Sequence, residues 1–167
     1  MILGLPMFVF IHVLISLLGI GYGFVILAGF LGDKRLDGSN AFFLVTTILT
    51  SVTGFFLPAH TILPSHILGV VSLIALAIAC VARYSKKMQG GWRKTYVISA
   101  MISFYFNVFV LVAQSFLKVP SLHALAPNGS EPPFAVAQSI VLIAFIVFTI
   151  LAVKKFRSVV PATASTA

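Results

Sequence analysis

Long apolar segments separated by short polar ones dominate the sequence. A helix that crosses a bilayer needs about 20 mostly apolar residues, because each residue adds only about 1.5 Å. We therefore predict an all-α integral membrane bundle of five transmembrane helices. Their predicted ranges are residues 5–31, 41–58, 64–83, 95–117 and 134–153. Together they form a single domain over residues 1–160, and the small, polar residues 161–167 are predicted to be a short disordered tail.

The amino-acid composition excludes a soluble globular domain. Hydrophobic residues make up 60% of the chain and charged residues only 8%, whereas soluble domains carry about 25% charged residues. The formal net charge of +8 raises nucleic acid as a partner. The basic residues, however, lie between and after the apolar segments rather than on a soluble face. We therefore predict the lipid bilayer, and no nucleic acid, as a partner of this chain.

The basic residues predict how the bundle is oriented. Ten of the eleven lie in the loop after span one, in the loop after span three, or directly after span five. These are Lys34, Arg35, Arg83, Lys86, Lys87, Arg93, Lys94, Lys154, Lys155 and Arg157. Five spans gather all ten on one side and leave only Lys118 on the other. Because basic loops are retained in the cytoplasm, the N-terminus is predicted outside and the C-terminus inside.

Three of the predicted spans carry polar or small residues along one face. These are His12, Ser16, Gly19 and Gly23 on span one, Thr46, Thr50, Thr53 and His60 on span two, and Ser99, Ser103, Asn107, Gln114 and Lys118 on span four. Since lipid offers polar groups no hydrogen-bond partners, the three faces are expected to meet inside the bundle. Asn107 and Gln114 either join helices or orient a ligand. Lys118 either extends its amine to the membrane surface or anchors an anionic group such as a haem propionate or a lipid phosphate.

All four histidines fall at or near the outer membrane face in this arrangement, together with Glu131. Neutral imidazole is a common metal ligand. His12 with His66, or His12 with His60, could clamp the iron of a haem b from both sides. Three of His12, His60, His66 and His123, together with Glu131, could instead hold a copper, zinc or iron ion. The alternative is that the histidines bind nothing and favour the interface, where one end of the ring is wet.

Two parts of the sequence resemble a known group of proteins. Residues 105–120 (YFNVFVLVAQSFLKVP), followed by Ala-Pro at 126–127 and SEPPF at 130–134, are similar to small multi-spanning inner-membrane proteins of bacteria that have no assigned activity. Residues 63–69 (LPSHILG) are similar to the same proteins. The resemblance covers spans three to five and implies a bacterial cytoplasmic-membrane location.

These observations lead to three functional hypotheses. The leading one is a membrane protein that binds a haem or a transition metal at its outer, periplasmic face, for electron transfer. The second is a non-catalytic accessory or assembly subunit of a larger membrane complex, or a homo-oligomer, in which Gly19 and Gly23 allow close helix packing. The third is a small transporter, which the absence of buried charge disfavours. Glu131 is the only carboxylate outside, so a Ser-His-Asp triad has no acid there.

Overall fold

The computed structural model describes residues 6–57 and 64–157, and all regular secondary structure in these two stretches is helical. The helices are α1 (Met7–Leu31), α2 (Asp37–Gly54), α3 (Pro64–Cys80), α4 (Trp92–Lys118), α5 (Pro120–His123) and α6 (Pro132–Lys155). A π-helical turn, Val81–Ser85, continues α3. The residues predicted to form a disordered tail, 161–167, lie outside the described stretches.

Four of the helical segments described are long and apolar enough to cross a membrane. They are Met7–Leu31, His66–Ser85, Trp92–Lys118 and Pro132–Lys155. Each agrees with a predicted span to within a few residues. The predicted all-helical fold with membrane-spanning helices is therefore confirmed for four spans. The fifth predicted span corresponds to α2, which is not among these four.

Helix α2 differs from its prediction at both ends. It begins at Asp37 rather than at residue 41, and it ends at Gly54, followed by turns at 55–56. Its first turn, Asp-Gly-Ser-Asn, is polar, which lowers the mean hydropathy of this 18-residue helix. Asn40 in that turn is nevertheless 1% exposed. Asn40 is therefore enclosed by protein rather than by lipid.

Helix α4 lies at the centre of the bundle. It packs against α1, α2, α3 and α6, while α1 also packs against α2 and α6. Helix α2 separates α1 from α3, and these two helices do not contact each other within the described residues. This order decides which side chains of the different helices can meet.

The packed core is concentrated in the half of the bundle that carries the basic loops, here called the charged end. Phe104 lies at its centre and makes edge-to-face contacts with Phe24, Phe43 and Phe145. Gly23 permits this arrangement, because a Cβ atom at Gly23 would overlap the Phe104 ring. The sequence predicts that another helix approaches closely at Gly23. In the structure, the group in contact with Gly23 is the Phe104 ring of α4.

The other half of the bundle, here called the histidine end, is packed more loosely. No residue of α1 before Gly19 is buried, and no residue from 105 to 115 of α4 is buried. In the first half of α6, residues 132–144, Gln138 is the one buried residue. Side chains at this end are therefore accessible from the membrane or its surface.

Candidate functional site

His12 lies on α1 at the histidine end and is held by α2. Its Nδ1 atom lies 2.8 Å from the Thr53 hydroxyl oxygen. That hydroxyl also lies 2.6 Å from the Leu49 carbonyl oxygen and 3.3 Å from the Thr50 carbonyl oxygen. A hydroxyl has one proton, so Thr53 either donates to a carbonyl and accepts from a proton on His12 Nδ1, or donates to Nδ1 and leaves the imidazole proton on Nε2. The first arrangement leaves a lone pair on Nε2, as a metal ligand requires.

The surroundings of His12 leave this lone pair available. The ring is half-buried, and Nε2 has no hydrogen-bond partner among the described residues. Gly54 lies directly beneath it, since a Cβ atom there would stand 3.7 Å from His12 Cε1. An imidazole oriented through one nitrogen by a protein hydrogen bond and open at the other has the form that metal-binding histidines take.

The other predicted histidine ligands lie at different places around the histidine end. His66, in the first turn of α3, packs beside Phe55 with a distance of 5.7 Å between ring centroids. His12 beside Gly54 and His66 beside Phe55 therefore flank the end of α2, and their pairing on one iron stays a prediction. His123 is exposed in the short helix α5. His60 lies outside the described residues, so its pairing with His12 stays a prediction.

Glu131 is the last of the predicted metal ligands, and its carboxylate is already bonded within its own loop. It accepts from the Asn128 backbone N–H at 3.0 Å, from the Asn128 side-chain amide at 2.8 Å and from the Ser130 backbone N–H at 3.0 Å. These bonds, the Asn128 backbone bond first, lower the pKa of Glu131. In the part of the chain that is described, no three His, Cys, Asp or Glu side chains are grouped to hold a metal ion.

The polar face predicted on α4 divides between two roles. The Asn107 side-chain amide lies 3.5 Å from the Thr47 hydroxyl of α2, next to the surface of α1 at Gly19. Asn107 therefore joins helices, as polar residues in membrane bundles commonly do. Gln114 and Lys118 are exposed on the last two turns of α4. They lie at the same end as His12 and are accessible to a ligand bound there.

Sequence reasoning missed Gln138, which lies between α6 and α4. Its Nε2 atom donates to the Phe109 carbonyl at 3.0 Å. Its Oε1 atom is buried with no partner among the described residues. A single glutamine within an apolar span was the available signal, but the sequence does not reveal which way such a residue faces.

A second polar cluster, also missed, lies at the charged end. The Arg83 cluster consists of Arg35, Asp37, Asn40, Arg83 and Tyr96. Asp37 accepts from Arg35 at 2.7 Å and from Arg83. The Arg83 guanidinium lies 5.0 Å from the centroid of the Tyr96 ring, and the Tyr96 hydroxyl donates to Asn40. Residues from α2, α4 and the turn after α3 are thereby joined.

Further polar contacts extend this cross-linking around the charged end. Arg93 of α4 donates to the carbonyls of Val153 and Phe156 at the end of α6. The Arg157 backbone N–H donates to Asp33 in the loop after α1, at 2.7 Å. The three basic segments predicted to share one side of the membrane therefore meet at one end of the bundle.

Comparisons with other proteins do not extend this description. No protein-family model, no curated protein and no solved structure matches the chain. The chemistry of its own side chains is therefore the basis for a functional proposal.

Proposed function

We propose that this chain is a five-span protein of the bacterial cytoplasmic membrane, with its N-terminus outside and its C-terminus in the cytoplasm. The fifth span is α2, whose low hydropathy is accounted for by polar residues that bond within the protein. Asp37 pairs with Arg83, and Asn40 accepts from Tyr96. With α2 counted, the charged end carries the ten basic residues, which favours the cytoplasmic side. The resemblance to bacterial inner-membrane proteins supports the same location.

We further propose that the histidine end binds a haem or a transition-metal cofactor through His12, in the service of electron transfer. The observation that carries the proposal is the 2.8 Å contact between His12 Nδ1 and the Thr53 hydroxyl, beside an Nε2 atom that has no partner among the described residues. Of the two cofactors, haem fits better. A haem supplies four of its own nitrogen ligands and needs one or two from the protein, whereas a single metal ion needs three or four.

Other residues of the same end would take supporting roles. Thr53 would keep the imidazole in the Nδ1-protonated tautomer, as a residue that orients a metal ligand does. Lys118 would attract a propionate group, and Gln114 one turn earlier would hydrogen-bond to it. His66, across the end of α2 from His12, would be the second ligand of a haem iron. His123 and Glu131 would be dispensable for binding, because His123 lies in α5 and Glu131 is already bonded within its loop.

The test is a haem titration of the purified, full-length protein, followed by visible absorption and by metal analysis. A Soret band that saturates at one haem per chain, or one equivalent of bound metal, is expected. His12→Ala should abolish it, Thr53→Val should weaken binding about 10–100-fold, and His123→Ala is the matched control that should bind normally. Equal binding by the His12→Ala variant would overturn the ligand assignment.

The alternative role, an accessory subunit of a larger complex, predicts a different result. The protein would then bind neither haem nor metal in stoichiometric amount. It would instead co-purify with other chains from its own membrane in mild detergent. A colourless protein that is free of metal and of other chains would contradict both roles.

A further inference from the structure

Arginine and lysine side chains are used differently at the charged end. Arg35, Arg83 and Arg93 are half-buried or buried, and each is bonded to a protein group. The lysines Lys34, Lys86, Lys87, Lys94, Lys154 and Lys155 are all exposed. Both ion pairs in the described part of the chain join an arginine to Asp37. Arg83 and Arg93 therefore join helices, as the five donors of a guanidinium allow, while the lysine side chains are exposed.

The exposed lysines belong to one continuous surface rather than to separate loops. The bonds of Arg93 to Val153 and Phe156 bring the start of α4 beside the end of α6. The bond of Arg157 to Asp33 brings the loop after α1 to the same place. The side chains of Lys34, Lys94 and Lys154 consequently extend from neighbouring segments of a single basic surface.

This surface carries the whole net charge of the protein. Ten of the eleven basic residues and two of the three acidic residues lie at the charged end, which gives it a formal charge of +8. At the opposite end Lys118 and Glu131 cancel. Of the two carboxylates at this end, Asp37 is paired with Arg35 and Arg83 rather than with a lysine.

Aromatic side chains indicate what the surface faces. Trp92 is 38% exposed, and the Lys86 amine lies 5.6 Å from the centroid of its ring. Tyr84 is 55% exposed nearby, in the turn that follows α3. Exposed Trp and Tyr next to lysines at the ends of apolar helices are typical of the boundary between hydrocarbon and headgroups. Binding of a nucleic acid or of an acidic soluble protein would not require exposed Trp and Tyr side chains at the height of the lipid headgroups.

We propose that the lysine surface binds the headgroups of anionic phospholipids and selects them over zwitterionic ones. Each lysine near an anionic membrane surface strengthens binding by about fivefold. Lipid binding goes beyond the proposed cofactor site and depends only on the charged end lying at the membrane boundary. Its failure and the failure of haem binding are therefore separate results.

The experiment is native mass spectrometry of the full-length protein in detergent, with phosphatidylglycerol and phosphatidylcholine added in equal amounts. The wild-type protein should retain phosphatidylglycerol in preference. The triple substitution Lys86→Gln, Lys87→Gln and Lys94→Gln should lower this preference by about fivefold per lysine. Gln89→Ala, which alters an exposed, uncharged side chain of the same loop, is the matched control and should select lipid as the wild type does.

A second variant keeps the proposal testable if the triple substitution fails to fold. Lys154→Gln with Lys155→Gln removes two charges from the end of α6, where both side chains are exposed. Equal retention of the two lipids by the wild-type protein would overturn the proposal. An unchanged lipid preference in a folded lysine variant would also overturn it. The same holds if an acidic protein, rather than lipid, binds the wild-type surface and no longer binds the lysine variant.

Discussion

The Arg83 cluster leads to an asymmetric prediction about stability. The Arg83 side chain is 2% exposed, whereas that of its partner Asp37 is 57% exposed. Asp37→Ala would leave a buried guanidinium without its carboxylate. Removing one partner of a buried ion pair costs about 3–5 kcal/mol. Because the Tyr96 ring still faces the guanidinium, we expect a loss near the lower value, about 3 kcal/mol.

The converse substitution should cost less. Arg83→Met removes the buried charge and keeps an apolar chain of similar length against Tyr96. Asp37 would remain largely in water and paired with Arg35 at 2.7 Å. The expected loss is about 1 kcal/mol, which corresponds to the cation–π contact with Tyr96. The double variant should be about as stable as Arg83→Met alone, because the orphaned charge is then absent.

The assay is unfolding by SDS in mixed micelles, followed by the fluorescence of Trp92, the one tryptophan of the chain. The four proteins form a double-mutant cycle that isolates the coupling between Asp37 and Arg83. The reasoning is refuted if Arg83→Met destabilises more than Asp37→Ala. It is also refuted if the two losses simply add, since the pair would then not interact.

Two further predictions concern packing and the loop at the histidine end. Gly23→Ala should destabilise the bundle by about 1–3 kcal/mol, because the new methyl group overlaps Phe104. Gly21→Ala, which meets nothing within 4 Å, is the control in the same unfolding assay, and an equal loss there would contradict the packing argument. The lowered pKa of Glu131 means that its loop gains stability above the ordinary carboxyl pKa and loses it as pH falls through the lowered value. The protection of the Asn128 amide from exchange, measured relative to the intrinsic rate at each pH, should therefore fall on acidification in the wild type and stay constant in Glu131→Gln, and identical profiles would refute the assignment.

The first and last residues of α1, α4 and α6 lie close to those predicted. An apolar segment can be recognised from its own residues, without knowledge of the rest of the fold. Helix α2 was predicted less well. Considered alone, its polar first turn has the composition of a loop rather than of a span. Its partners Arg83 and Tyr96 are 46 and 56 residues away, so local hydropathy gives no sign that these polar groups are enclosed.

The surroundings of His12 were predicted only in part. The contact with Thr53 agrees with the predicted meeting of the polar faces of the first two spans. A helical period gives the face on which His12 lies, but it does not indicate that α2 stands between α1 and α3. The tautomer of His12 depends on whether the Thr53 hydroxyl donates to the Leu49 carbonyl, which no side-chain pattern reveals.

The central claim is that α2 spans the membrane, so that the charged end is cytoplasmic and the histidine end is outside. The direct measurement is labelling of single cysteines by a membrane-impermeant maleimide, in a Cys80→Ser background. Phe56→Cys and Ser130→Cys, both exposed at the histidine end, should react in cells whose cytoplasmic membrane is intact. Gly38→Cys and Ser85→Cys, exposed at the charged end, should react only after that membrane is permeabilised. If Gly38→Cys and Ser85→Cys react from opposite sides, α2 does not span the membrane and the account is contradicted.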